Sequence, residues 1–389
     1  MSESTPVVLD PQRQGKARRY AALHRRLALA TWALSGAYLG AWVVFGWGPA
    51  IERTLLALGS SWRVGVPWWL ALLAVAAAVG LPFGLIYLPL EYYGGFVLPH
   101  RFQLSTQDLR GWLTDMAKGA VLSAVIGSPL LIGLYALVRL SPGEWWLWSA
   151  LGYSAVSLGL SAVAPVILMP IFFKFRPLDQ AHAALNERLL ALARRAHTHV
   201  RGIFTFDMSR RTRAANAALV GLGRTRRVIL GDTLLSEFEP EEIETVLAHE
   251  LGHHVHMDIP LFVLVQTGIN LLTFFLIAAG ARWAVTELGL TSLADPGGLP
   301  AVALLAGILS TIIGPFANAF SRWREALADR YSLELTHSPA AFVSAMTRLA
   351  NQNLGEADPP RWAVLLFATH PPLGQRIRQA GAFGESTPD

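Results

Sequence analysis

The string His249-Glu250-Leu251-Gly252-His253 sets two imidazoles four residues apart, with a carboxylate beside the first. On an α-helix, residues i and i+4 share a face one turn apart. Two His at that spacing can bind one zinc ion, and Glu250 is placed to take a proton from a water that the zinc activates. Chance would supply this pattern about 0.01 times in a chain of this length with 11 His, so it is read as chemistry, not coincidence. A catalytic zinc needs a third protein ligand and keeps a fourth position open. Glu325 is the best candidate, with Asp329 one turn beyond it to accept the other N–H of a ligand His. The competing reading of Glu325 is an interfacial carboxylate paired with Arg322 or Arg324. His254 points about 100° away from His253 on the same helix. It and His256 read as solvated residues or as supports behind the ligands.

Composition narrows the setting. Cysteine is absent, which excludes disulfides, thiolate metal sites and cysteine nucleophiles together. The chain is 53% hydrophobic and 15% charged over 389 residues, with a mean hydropathy of +0.39. A disordered chain and an ordinary soluble enzyme, which carries about a quarter charged residues, are both excluded. The charge of +5 is explained by Lys and Arg gathering on the cytoplasmic side of a membrane, and no nucleic-acid partner is expected.

About twenty apolar helical residues cross a hydrocarbon core. Six segments suffice: Leu27–Trp47, Val66–Leu90, Gly119–Leu140, Trp145–Leu168, Ile259–Val285 and Leu299–Phe320, the fourth continuing toward Phe175. With the N-terminus inside, only Arg53, Arg63, Arg139 and Arg282 of the 32 Lys and Arg fall on the outer side. Both termini and both large polar regions are therefore expected in the cytoplasm. The first span starts late, after a basic stretch, and reads as an uncleaved anchor.

The expected organisation is a basic, mobile N-terminus (1–26) that sets topology or touches anionic lipid, then four transmembrane helices with their loops (27–173). A cytosolic region with the HExxH helix follows (174–258), then two more spans (259–320) and a C-terminal region with Glu325 and an HPP motif (321–389). Within the first cytosolic region, Gln180–His197 reads as an amphipathic helix striped by Leu185, Leu189 and Leu192. Val200–Asp207 and Arg227–Leu230 read as strands, and Gly221–Gly223 as a turn between strands. Pro240, followed by Glu241 and Glu242, opens the motif helix. Gln266, Asn270 and Asn318 in the last two spans are expected to face water, with helix packing as the alternative.

Less generic stretches extend the motif: Phe96–Trp112 (FVLPHRFQLSTQDLRGW), Asn216-Ala217 with Gly221–Leu235 (GLGRTRRVILGDTLL), and His370–Ile377 (HPPLGQRI). With HExxH and Glu325-x-x-x-Asp329, they make residues 90 to 380 resemble the integral-membrane zinc metalloproteases typified by the type I CAAX prenyl endoprotease, which are related to HtpX. The first 90 residues match in character only. Six spans stand here where the eukaryotic members have seven, so the enclosed chamber is expected to differ.

The resemblance implies an all-α polytopic membrane protein, about six transmembrane helices around a water-filled chamber, and a cytosolic zinc-metalloprotease region with a small β element. It makes His249, His253 and Glu325 ligands of one Zn2+ per chain and Glu250 the general base. Asn216 would bind the substrate backbone, His370 would stabilise the tetrahedral intermediate, and Arg376 would brace the site. Without the resemblance, Asn216 reads as a turn residue, His370 as part of a turn before Pro371-Pro372, and Arg376 as a surface residue.

The implied reaction is zinc-assisted peptide hydrolysis that removes the C-terminal tripeptide of prenylated proteins. The substrate strand would add to an edge strand near Asn216 or Val228–Leu230. The partners implied are a prenylated or membrane-associated peptide or protein and the bilayer itself. The alternative is an HtpX-like quality-control protease of membrane proteins, whose relatives are shorter with fewer spans. An intramembrane site fits poorly with the charge around the motif at Glu241–Glu244 and His253–Asp258. A transporter or scaffold with structural zinc would fill all four metal positions with protein ligands, and only three strong candidates are present.

Overall fold

The computed structural model describes residues 8–61, 65–221, 223–287 and 292–386. Arg63 and the middle residue of the Gly221–Gly223 turn lie outside the described residues; the two glycines have φ of +90° and +54°. The chain opens with helices α1 (Pro11–Val44), α2 (Trp47–Ser61), α3 (Trp68–Arg101), α4 (Leu109–Leu140) and α5 (Trp145–Phe172). Strand β1 (Phe175–Pro177), helix α6 (Ala183–Arg195), β2 (Ile203–Phe206), β3 (Ala217–Val220) and β4 (Arg227–Gly231) follow. The rest is helical: α7 (Asp232–Glu237), α8 (Pro240–Val255), α9 (Asp258–Glu287), α10 (Leu299–Thr336), α11 (Pro339–Gln352), α12 (Arg361–Phe367) and α13 (Leu373–Ser386).

Six helices (α1, α3, α4, α5, α9 and α10) are long and apolar enough to cross a membrane, as six apolar segments predict. Two ends differ from expectation. The fourth span stops at Phe172, and Phe175 instead begins β1, which pairs antiparallel with β2. Helix α1 begins sixteen residues before Leu27, at Pro11, because Asp10 accepts from Gln12 N at 2.8 Å and Arg13 N at 3.2 Å, with Pro11 pre-set in the first turn.

The basic N-terminus is therefore not a mobile segment from Asp10 onward. Ala17 is fully buried against Leu104 and Leu354. The Gln14 amide donates to Gly355 O and accepts from Ala357 N, both at 3.1 Å, and Arg25 pairs with Glu356. Helix α2 was not foreseen. It sits at the other end of the helix array, where Glu52 accepts from Gly297 N at 2.8 Å.

The sheet has the order β1–β2–β4–β3, with β2 and β4 parallel and the outer pairs antiparallel. Its core joins β4 to α6 and α8 through Leu189, Leu230, Leu234, Leu247 and Leu251, all fully buried. Val228–Leu230 is thus an interior strand, paired on both sides, and cannot receive a further strand. Only β3, beside Asn216, offers an edge on that side.

Of the polar residues of the last spans, Gln266 is exposed on the wall of a cavity of about 430 Å³, while Asn270 and Asn318 are tied up in packing. Asn270, buried, donates to Ser154 Oγ of α5 and accepts from Gln266, both at 2.9 Å, while Asn318 donates to Leu366 O of α12 at 2.9 Å. An amide in an apolar array is stabilised when another helix supplies its partner.

Candidate metal centre

Helix α8 is fixed at its start. Pro240 occupies the first turn, and Glu242 folds back to accept from Glu239 N at 2.8 Å. The Glu242 carboxylate also takes bonds from Ser344 and Arg348, which tie this end of α8 to α11. Ile243, Leu247 and Leu251 face the sheet core, so the opposite stripe, with His249 and His253, faces α10. Gly252 permits the close approach: a Cβ there would lie 3.0 Å from Ala328 Cα and 3.2 Å from Ala328 O. One turn before Ala328, Glu325 reaches both imidazoles.

The two rings lie edge to face, 4.8 Å between centroids. His249 Nε2 is 3.2 Å from one Glu325 oxygen and His253 Nε2 is 3.5 Å from the other. Two ligands each about 2.1 Å from a tetrahedral zinc stand about 3.4 Å apart, so these separations match the edges of such a site. Glu325 Oε2 is buried and meets no well-aligned donor, its near neighbour being His249 Nε2 at 3.2 Å, a need that a cation between the three side chains would meet. Neither Arg322 nor Arg324 pairs with Glu325. Arg322 donates to the carbonyls of Val364 and Ala368, and Arg324 to Asp258. The set His249, His253 and Glu325 fits a metal ion.

Behind each His stands the same sequence of groups. His249 Nδ1 is 2.9 Å from Asp329, whose two oxygens accept from Arg376 Nε at 2.7 Å and Nη2 at 2.5 Å. His253 Nδ1 is 2.7 Å from Asp258, which accepts from Arg324 Nε at 2.6 Å. With a cation bound, a carboxylate at Nδ1 would keep the proton there and leave the Nε2 lone pair for the metal; without one, a proton on Nε2 meets the Glu325 carboxylate instead. Burial by itself would lower the His249 pKa, but Asp329 and Glu325 outweigh it and raise it to about 9. Arg376 is buried, so it braces Asp329 from within and is not a surface residue. Asp258 and Arg324 had no assignment from the sequence.

A cavity of about 300 Å³ opens over these groups and is lined by Asn216, His249, Glu250, His370 and Arg376 among others. Glu250 is half-buried on its wall. His370 Nε2 lies 3.2 Å from Glu325 Oε1, and its Nδ1 is 2.9 Å from Thr369 Oγ1. Desolvation, against the pull of Glu325 and with help from Arg376 and the two histidines, holds His370 below the usual imidazole pKa. In either protonation state its ring can offer an N–H to the cavity.

Asn216 is exposed at the head of β3, and its carbonyl accepts from Gly231 N at 2.9 Å. Asn353, which the sequence did not single out, clasps the preceding residue: it accepts from Ala215 N at 2.8 Å and donates to Ala215 O at 3.1 Å. His254 and His256 are both half-buried and outside the cluster, and the His256 ring meets the Tyr331 ring edge to face.

A family model described as "Peptidase family M48" matches residues 179–382, and one described as "CAAX prenyl protease N-terminal, five membrane helices" matches residues 3–174. The chain is 30% identical over 300 residues to "Uncharacterized metalloprotease YhfN" of Bacillus subtilis (strain 168), covering 76% of this chain and 70% of that protein. It is 28% identical over 316 residues to "CAAX prenyl protease 1 homolog" of Oryza sativa subsp. japonica, covering 78% and 72%. The crystal structure of S. mikatae Ste24p superposes with a TM-score of 0.84 at 24% identity, over 97% of this chain and 92% of that one, a likeness of fold.

Proposed function

The chain belongs to peptidase family M48 and is a multi-pass membrane metalloprotease, and from that premise we propose that it holds one Zn2+ through His249, His253 and Glu325 and removes the C-terminal tripeptide of prenylated proteins. The observation that carries the reading is the convergence of both His Nε2 atoms on Glu325, beneath a cavity that Asn216, Glu250 and His370 also line.

Held by His249, His253 and Glu325, a zinc ion would supply a Lewis acid for the scissile carbonyl and lower the pKa of water. Glu250 takes the proton of the attacking water and passes it to the leaving amine. His370 donates its N–H to the oxygen on which charge develops. The substrate backbone adds to the free edge of β3, with Asn216 at its head, since β4 is enclosed by its neighbours. Asp329 and Arg376 hold His249 in the tautomer that ligates. The site faces the cytoplasm, where the basic residues gather. The prenyl group is argued from the likeness to the rice CAAX prenyl protease 1 homolog.

The test uses zinc-loaded wild type and Glu250→Ala, each given a farnesylated CAAX peptide and its unprenylated twin, with products read by mass spectrometry. Cleavage by wild type alone, mainly of the farnesylated peptide after the modified Cys, is expected. Equal cleavage of both peptides would move the function to general membrane proteolysis of the HtpX kind. Turnover by Glu250→Ala at the wild-type rate would remove Glu250 from the mechanism.

A further inference from the structure

Asp258 and Arg324 form the most enclosed ion pair that the mechanism above leaves unused. Their side chains are 4% and 7% exposed. Asp258 is the first residue of α9, where the helix dipole favours a carboxylate. One of its oxygens faces His253 Nδ1 at 2.7 Å, and the other accepts from Arg324 Nε at 2.6 Å and from Nη2. Arg324 Nη2 reaches further, donating to His256 O at 2.9 Å, the carbonyl of the residue that caps the end of α8. One guanidinium thus grips the end of α8 and the start of α9, and its sequence neighbour is Glu325. Met257, at φ +54°, turns the chain so that Asp258 comes back to face His253.

We propose that Asp258 and Arg324 are positioning residues of the metal site: they fix the Nδ1–H tautomer of His253 and set its distance from Glu325. The inference rests on the reading of His249, His253 and Glu325 as metal ligands. It extends to His253 the support that Asp329 and Arg376 give His249, but through groups at the junction with the membrane helix α9. Arg324 holds its place because Asp258 neutralises it. A buried carboxylate bonded by both a guanidinium and an imidazole N–H has little rotational freedom, so the ring it faces is held as well.

The experiment compares full-length wild type, His249→Ala, Asp258→Asn, Arg324→Met and the double variant Asp258→Asn/Arg324→Met. Zinc content, the rate of zinc release to a chelator and the visible spectrum of the cobalt-loaded protein are read, with thermal melts to establish folding. The double variant removes the orphaned cation with its partner, which keeps a folded protein available for the metal readouts. Zinc affinity is expected to fall roughly 10- to 100-fold in Asp258→Asn and in the double variant, with an altered cobalt spectrum. Wild-type release rates and an unchanged spectrum in folded variants would overturn the proposal. Should wild type itself hold no zinc, or His249→Ala hold it equally well, the metal site is what fails, and the positioning role falls with it.

Discussion

Gly252→Ala places a single methyl group between the two helices that carry all three candidate ligands. The new Cβ would stand 3.0 Å from Ala328 Cα, 3.2 Å from Ala328 O and 3.3 Å from Tyr331 Cβ. Carbon atoms in contact rest about 3.5–4.0 Å apart, so α8 and α10 must separate by roughly 0.5 Å or more. Two of those atoms belong to backbone and cannot swing aside. Glu325, one turn from Ala328 on the same helix, moves with it, and its separations of 3.2 and 3.5 Å from the imidazoles widen. Metal–ligand distances tolerate about ±0.2 Å, so zinc affinity should fall roughly 10- to 100-fold, the range produced when support for a ligand is lost. Stability responds less clearly. Overpacking costs about 1–3 kcal/mol, while Ala for Gly within a helix returns about 1 kcal/mol. Affinity is therefore the decisive readout, measured by competition with a chromogenic chelator on folded protein. Gly268→Ala is the control, because nothing lies within 4 Å of its added Cβ. Wild-type affinity in Gly252→Ala would refute the close approach of α8 and α10 as the feature that sets the ligand geometry.

Other outcomes follow from neighbouring groups. His370→Ala should lower kcat by roughly 10²–10³-fold, as the loss of one oxyanion donor does, with zinc content unchanged; undiminished kcat would remove His370 from catalysis. Asn353→Ala releases both polar groups of Ala215 beside Asn216. A loss of about 1–2 kcal/mol should appear as a several-fold rise in KM for peptide with zinc intact, and an unchanged KM would argue against β3 as the substrate strand. In chelator-treated protein, the folded pKa of His249, about 9, lies above its ordinary value of 6.5. Its contribution to stability is then complete below pH 6.5 and is lost as pH rises through about 9, which thermal melts across that window will show. Zinc must displace the same proton, so apparent affinity should strengthen by about tenfold per pH unit below 9 and then level off; a flat titration would contradict it.

The ligand helix was legible because helical periodicity ties residues four apart to one face, and the six spans because the bilayer demands length and apolarity. Glu325 and Asp329 were legible for the same reason, being one turn apart on α10. Asp258 was not, although it is only five residues from His253. Its approach depends on a left-handed residue at Met257, and no helical spacing announces a reversal of that kind. Asn353 pairs with Ala215 across 138 residues, a partnership set by the whole fold. The interior position of Val228–Leu230 follows from a strand order that crosses over, which alternating hydrophobicity does not encode. The order of the N-terminus from Asp10 onward is obscured for another reason. Its signal is local and short, Asp10 capping the first turn and Pro11 pre-set within it, inside a stretch whose net positive charge suggests mobility.

The order in which the chain is synthesised gives the placement of Arg376 a further meaning. Its helix, α13, is the last described, and Arg376 is the counter-charge of the Asp329 that holds His249. The segment of residues 353–357 that clasps Ala215 is itself gripped by Gln14 of the first helix. Once α10 is made, Glu325 and Asp329 stand beside His249 and His253, but Asp329 still lacks its guanidinium, His370 has not been made, and Gln14 has no partner in residues 353–357. Glu325, Asp329, His370 and Arg376 all follow the HExxH helix along the chain, so the two histidines are made before any of the groups that meet them. A nascent chain that has reached only α8 therefore carries the HExxH string without the carboxylates and guanidinium that later surround it.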